Sequence, residues 1–162
     1  MKVYSYISKE LYIELEKSKR IYPVLGRSCY ASFNGLYKAF QRRYNKQVFF
    51  GWDKNVDNFE EESDGDYVYL ELDLPSGSFK LTNYLNWSDL ILLYENDDSE
   101  PNDEVLRERL DFYGFGFYKS LNEFWEDIYV IDDLDRNQVI YDYLDISFVK
   151  RKAIKRKCIK TY

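Results

Sequence analysis

The sequence predicts an α+β fold, in which a single mixed domain spanning residues 1–162 holds a twisted, mainly antiparallel sheet and about four helices. Two segments carry this prediction. Residues 67–74, YVYLELDL, alternate between two faces, as a strand does. Residues 32–44 instead place large apolar side chains at the spacing of one helical face. No internal repeat or linker interrupts the chain, so we expect one domain.

The first 46 residues predict a strand and two helices. Residues 2–7 alternate as a strand, and Ser8 is the expected N-cap of a helix that carries Leu11, Tyr12 and Leu15. A second helix is predicted from about Ser32. Its polar face is strongly basic and contains Lys38, Arg42 and Arg43.

The middle of the chain predicts two more strands and a helix. Residues 47–52 form a short apolar run typical of a buried strand, and residues 53–66 read as an exposed acidic loop. After the strand at 67–74, a turn at 75–78 precedes an extended step and a helix from about 83 to 94. The expected buried side of this helix holds Trp87, Leu90, Ile91 and Tyr94.

The last third begins with an acidic loop at 96–103 and a short charged helix at 104–109. Ser120 and Glu123 match a capping box, which predicts a short amphipathic helix. Residues 138–143 and 147–159 are predicted to be the closing strands.

Aromatic side chains dominate the apolar composition, with 17 Tyr, 11 Phe and 3 Trp. Tyrosine combines a large ring with a hydroxyl that needs a partner, so we expect many at the rim of the core or at a recognition surface. The densest segment, residues 112–118, contains two glycines that favour a bend over a regular strand. It is interpreted either as a ligand platform or as an irregular aromatic plug in the core.

The absence of histidine is the strongest functional constraint. It excludes Ser-His-Asp and Cys-His catalysis and the usual histidine-bound zinc and iron sites. Cys29 and Cys158 form no C-x-x-C pair, which suits two free thiols in a reducing compartment. No run of 18 apolar residues occurs, and the N-terminus lacks the apolar stretch of a signal peptide. We therefore expect a cytoplasmic protein that does not enter a membrane.

Charges are segregated along the sequence. Residues 1–46 carry ten Lys or Arg against three Asp or Glu, and residues 150–162 carry seven basic side chains and no acidic one. Residues 47–149 carry six basic and 26 acidic side chains. The basic ends either form one patch suited to phosphates or neutralise the acidic middle within the fold. The acidic middle makes nucleic acid an unfavourable partner.

Neither phosphate-loop nor metal motifs are present. None of the seven glycines belongs to a G-x-x-x-x-G-K sequence. The acidic runs at 60–62, 97–98 and 132–135 lack the spacing of a calcium-binding loop, so we interpret them as solvated loops. No metal and no cofactor is predicted.

The order of segments resembles an uncharacterised bacterial and phage family known as domain of unknown function 3841. The resemblance covers most of the chain and is strongest over residues 68–94, where an alternating strand ends in Pro75 and a helix containing Trp87 follows. Two departures stand out. Ser88 follows Trp87 where the family often has histidine, and Asp142-Tyr143 replace a Trp-Glu pair. The resemblance implies a fold but no activity.

A leading strand and helix, a central VYLELDLP strand and two late strands also resemble small ADP-ribosyltransferase-like domains. Such domains hold NAD between two sheets and use a glutamate on a late strand. The nearest counterpart here is Gln138, which cannot act as a base. This analogy favours a binding protein over an active transferase.

Two functional hypotheses follow. The first is a non-catalytic binding or inhibitory protein, encoded by a phage or mobile element, that acts on a protein partner through tyrosines and acidic surface. The alternative is a nucleotide-handling domain that binds NAD or a related nucleotide. Its phosphate cleft would be lined by basic side chains and roofed by aromatic rings: Arg27, Arg42, Arg43, Lys155 and Arg156, with Trp52 and Phe115.

Overall fold

The computed structural model describes residues 1–23, 31–55, 67–94, 100–131 and 137–155. These residues form five α-helices, eight strands and one 3-10 helix. The strands are β1 (Lys2–Ser8), β2 (Arg20–Ile21), β3 (Phe49–Trp52), β4 (Tyr67–Asp73), β5 (Phe79–Asn83), β6 (Asn137–Tyr141), β7 (Leu144–Asp145) and β8 (Val149–Lys155). The helices are α1 (Lys9–Ser18), α2 (Ala31–Tyr44), α3 (Tyr84–Tyr94), α4 (Asp103–Phe112) and α5 (Leu121–Asp127), and the 3-10 helix covers Ile146–Phe148.

Six strands form one sheet in the order β5-β6-β3-β1-β4-β8, and every neighbouring pair is antiparallel. The predicted α+β fold with a mainly antiparallel sheet is therefore confirmed. The helix number differs slightly, because five helices occur among the described residues where about four were expected. Residues 56–66, 96–99 and 132–136 of the predicted acidic loops and residues 156–159 of the predicted last strand lie outside the described residues, and α4 begins at Asp103, where the second of these loops was expected to end.

Both faces of the sheet are buried, and this determines where the aromatic residues lie. In β4, Val68, Leu70 and Leu72 point toward α1, while Tyr67 and Tyr69 point toward the other face. The α1 side forms a mainly aliphatic core that also contains Tyr12, Phe49 and Tyr141. The opposite side forms an aromatic core with helices α2 to α5, whose rings include Tyr6, Phe40, Phe50, Trp52, Trp87, Tyr94, Phe124 and Trp125. These tyrosines lie inside the core, not only at its rim.

The predicted helix starts are confirmed by their side-chain caps. Ser8 Oγ accepts a hydrogen bond from the Leu11 amide at 3.2 Å, and Ser120 Oγ accepts one from the Glu123 amide at 3.3 Å. The Glu123 carboxylate reaches back to the Lys119 amide at 2.7 Å, one residue before the cap. These contacts satisfy amide groups that have no partner inside the helix.

A short pair of strands, β2 and β7, and a 3-10 helix were not predicted. β2 and β7 pair only through Arg20 with Asp145 and Ile21 with Leu144. The expected strand at 147–159 was wrong at its start, because Asp145 caps a 3-10 helix through the Ser147 amide before β8 begins. A two-residue strand has no measurable periodicity, which is why the pattern missed it.

Buried polar groups connect the strands below the surface. Trp87 Nε1 donates to Thr82 Oγ1 at 2.7 Å, and Thr82 donates to the Gln138 carbonyl at 2.7 Å. Gln138 is fully buried, and its Nε2 donates to the Gly51 carbonyl at 2.9 Å. Its side chain therefore joins β6 to β3 inside the sheet.

Gly51 is required by a close approach between β3 and β1. A Cβ at this position would lie 2.6 Å from Val3 Cγ1 and 2.8 Å from the Tyr4 carbonyl oxygen. The backbone oxygen cannot move without disturbing the sheet. Gly77, in contrast, needs its left-handed conformation (φ 83°) but has open space around it.

We expect Gly51→Ala to lower the free energy of unfolding by about 1–3 kcal/mol, as overpacking of a core does. Gly77→Ala is the matched control and should cost about 1 kcal/mol through its backbone conformation alone. Urea unfolding followed by circular dichroism measures both. A Gly51→Ala variant that is as stable as the parent protein would contradict this account of the β3–β1 contact.

Candidate functional site

Helix α4 presents acidic side chains to solvent. Asn102 caps the helix by accepting from the Val105 amide at 3.0 Å, and Leu106 and Leu110 anchor its inner face in the aromatic core. Glu104, Glu108 and Asp111 are exposed. None of these three carboxylates forms an ion pair with another residue in the described part of the chain. Their charge is left for solvent or a partner.

The two arginines of α4 are bound to backbone carbonyls of the same protein. Arg107 donates to the carbonyls of Tyr118 and Lys119 at 3.3 and 3.4 Å. Arg109 donates to the Leu93 carbonyl at 2.6 Å. Both arginines thereby tie α4 to its surroundings, while the unpaired carboxylates of the helix remain on the outside.

A glycine turn ends α4 and fixes the aromatic segment that follows. Gly114 adopts the left-handed conformation (φ 80°), and its amide donates to the Asp111 carbonyl at 3.3 Å. The Phe115 amide donates to the Leu110 carbonyl at 2.6 Å. This pair of bonds is the Schellman pattern of helix ends, and glycine is favoured there because a Cβ would be strained.

The turn divides the aromatic segment into an inner and an outer half. Phe115 and Tyr118 pack on Phe124, with ring centres 5.4 and 4.3 Å apart, and the Tyr118 hydroxyl donates to Asp127. Phe112 and Phe117 point outward, with 82% and 72% of their surface exposed. The inner half of the segment therefore packs against the core and its outer half is exposed, while the ligand-platform interpretation stays a prediction.

Phe112 and Phe117, together with Glu104, Glu108 and Asp111, form what we call the acidic aromatic surface. Asp111 connects the helical carboxylates to the turn that carries Phe117. Its carboxylate lies beside Gly116, because Oδ1 is 2.9 Å from the position that a Cβ on Gly116 would occupy. The surface lies on a helix whose inner face is anchored and on a turn with defined hydrogen bonds. The sequence analysis selected this segment and proposed Phe115 as a ligand-binding ring, but Phe115 packs inward on Phe124. Gly114, directly after the helix, is the sequence signal that indicates a turn at this point.

One of the predicted arginines, Arg43, lines a polar groove of about 600 Å³. Arg43 forms an ion pair with Glu100 at 3.6 Å, donates to Asn122 Oδ1 and lies 6.0 Å from the Trp125 ring centre. A chain of hydrogen bonds continues inward, from Tyr94 to Glu100 at 2.9 Å and from Trp125 Nε1 to Tyr94 at 2.8 Å. Arg43 therefore already compensates a partly buried carboxylate.

The other predicted ligand residues are placed apart from this groove. Arg42 lies 6.0 Å from the Tyr94 ring centre, whereas Trp52 is 5% exposed within β3. The aromatic partners of the two arginines are thus Tyr94 and Trp125, not Trp52 and Phe115. Lys155 belongs to the backbone of edge strand β8, and its side chain lies outside the described residues, as do Arg27 and Arg156.

Neither a metal centre nor a membrane helix is found in the described ranges. No group of three or more Cys, Asp or Glu side chains is placed there to hold a metal ion, and the acidic runs at 60–62, 97–98 and 132–135 lie outside these ranges. Within the same ranges, no helix combines the length and apolar character needed to cross a membrane.

Comparisons with protein-family models, curated proteins and solved structures find no match. The resemblance to domain of unknown function 3841 and the ADP-ribosyltransferase-like architecture therefore stay predictions. The surfaces described above must be interpreted from their own chemistry.

Three tyrosines should resist ionisation while the protein is folded. Burial raises the pKa of Tyr94, Tyr118 and Tyr129 above the ordinary value of 10.0, and a hydrogen bond to Asp127 raises that of Tyr118 further. A raised folded-state pKa contributes stability that is complete below pH 10 and is lost as the pH rises above it, because the unfolded chain ionises first.

We expect an alkaline absorbance titration to show these tyrosines ionising only as the circular dichroism signal of the fold disappears. The sharp loss of structure should begin above pH 10. Ionisation of all 17 tyrosines with the circular dichroism spectrum intact would contradict the burial described here.

The Schellman turn gives a separate prediction. Gly114→Ala should destabilise the protein by about 1 kcal/mol, because alanine is strained at φ 80° although no atom obstructs its Cβ. Thermal unfolding measures the change, with Gly116→Ala as the control, since that glycine lacks a positive φ and its nearest neighbour is the movable Asp111 side chain. Gly114→Ala proving more stable than the parent would refute the turn assignment.

Proposed function

We propose that this chain is a non-catalytic binding protein that engages a protein partner through the acidic aromatic surface. The observation that carries the proposal is the exposure of Phe112 and Phe117 on an anchored helix and turn. Neither ring is needed to fill the core. Burying one phenylalanine side chain is worth about 1.5–3 kcal/mol, so two exposed rings provide a substantial part of a binding energy.

The carboxylates around the rings define the chemistry of the partner. Glu104, Glu108 and Asp111 have no counter-ion among the described residues, so a partner that supplies basic side chains would gain complementary charge. The partner therefore has an apolar pocket bordered by Lys or Arg. A groove that binds nucleic acid has such a border, which supports an inhibitory mode in which these carboxylates compete with phosphates.

The sequence supports the non-catalytic part of the proposal. Without histidine, the chain lacks the commonest general base. The carboxylates of the acidic aromatic surface are exposed. Their contribution is charge.

The experiment is affinity capture from a bacterial lysate with the full chain, comparing three proteins: the parent, Phe112→Ser/Phe117→Ser and Ile13→Ser. Ile13 is an exposed apolar residue on α1, on the opposite face of the sheet, so its substitution controls for general loss of hydrophobic surface. Unfolding curves of the three proteins should agree within about 0.5 kcal/mol, since all the changed side chains are exposed.

We expect the parent and Ile13→Ser to retain the same protein and the double variant to lose it. Purified complex should weaken at least tenfold on Glu104→Gln/Glu108→Gln substitution at low salt and less at high salt, because added salt screens the exposed charges. Retention of the captured protein by the double variant, or recovery of no specific protein by the parent, would count against the proposal.

A further inference from the structure

A concave site separate from the groove beside Arg43 lies between the end of α2, the start of β5 and the end of β6. The groove has a volume of about 770 Å³ and is bordered by the Pro75–Ser78 turn. This volume is within the range of about 300–1,000 Å³ that is typical of small-molecule sites. It shares no residue with the acidic aromatic surface, and Arg42, Arg43, Trp52 and Phe115 do not line it.

Aromatic rings form much of its lining. Phe40 and Tyr44 come from the last turns of α2, with ring centres 4.7 Å apart, and Tyr129 follows α5. The Tyr129 side chain is hydrogen-bonded to Tyr44, which joins the two tyrosines across the groove. Both tyrosines remain more than a third exposed, so their rings are accessible to a planar ligand.

The charges in the groove are not balanced internally. Lys46 pairs with Asp142, the nitrogen and oxygen being 2.7 Å apart, which neutralises the carboxylate in the groove. The Lys80 ammonium lies 5.9 Å from the Tyr129 ring centre. No carboxylate of the described residues forms an ion pair with Lys80. One cation therefore stands beside the tyrosine rings without an internal counter-ion.

We infer that this groove binds a nucleoside phosphate, with the base against Tyr44 and Tyr129 and the phosphate at Lys80. Flat rings accept any base by stacking, and a lysine is suited to a phosphate as a point charge. Lys46 contributes indirectly, because it prevents Asp142 from repelling the phosphate. This inference goes beyond the proposed protein-binding function and does not depend on it.

The test is isothermal titration calorimetry of the full chain with the diphosphates of adenosine, guanosine, cytidine and uridine. Adenosine and inorganic phosphate are added as separate ligands, since each tests one half of the site. Lys80→Glu reverses the cation, and Tyr129→Leu removes a ring while keeping apolar bulk. Lys119→Glu is the matched control, because Lys119 is also exposed but lies outside this groove. Circular dichroism verifies that each variant is folded.

We expect at least one diphosphate to bind, with the free nucleoside and inorganic phosphate each about tenfold weaker or more. Lys80→Glu and folded Tyr129→Leu should each weaken binding by about tenfold, and Lys119→Glu should leave it within about twofold. The inference would be overturned if no diphosphate binds at millimolar concentration, or if Lys80→Glu binds as tightly as the parent protein. It would also be overturned if Lys119→Glu weakens binding as much as Lys80→Glu does, because that result would indicate general charge attraction.

Discussion

The central pairing of β1 with β4 is the interaction on which the rest of the structure depends. Seven residues of β1 are in register with β4, and the pair contributes side chains to both cores. Because successive side chains of a strand point to opposite faces, this pair divides the apolar residues into a mainly aliphatic and an aromatic set. Helix α1 covers the first, and helices α2 to α5 cover the second. Tyrosine hydroxyls in and beside the aromatic core find carboxylate partners, as Tyr94 does in Glu100 and Tyr118 does in Asp127.

Periodicity and capping chemistry predicted the regular parts of the fold. The alternation at 67–74 and the caps at Ser8 and Ser120 are local properties, so they could be inferred without tertiary contacts. Whether a strand face is buried depends on elements from other parts of the chain, which local sequence patterns do not reveal. The pattern therefore separated Tyr67 and Tyr69 from their neighbours but could not show that both are buried. The β2–β7 pair joins distant parts of the chain, so it was missed for the same reason.

The candidate site shows the same limit at the scale of single side chains. The segment at 112–118 was selected for its aromatic density, but the direction of each ring is determined by the turn at Gly114. That turn directs Phe115 into the core and leaves Phe112 and Phe117 outside. Likewise, Arg42 and Arg43 were predicted to line a phosphate-binding cleft, whereas the fold places them beside Tyr94, Glu100 and Trp125. The lysine that lacks an internal counter-ion in an aromatic groove is Lys80, which no motif indicated.

The turn after α4, anchored in the aromatic core, holds the two exposed phenylalanines in place. Native-state hydrogen exchange followed by NMR measures how firmly it does so. We expect the Phe115 amide, bonded to the Leu110 carbonyl, to exchange nearly as slowly as the amides of β1 and β4, because opening it requires loss of the packing on Phe124. Exchange of the Phe115 amide at the rate of an unstructured peptide would show instead that Phe112 and Phe117 lie on a loosely held segment.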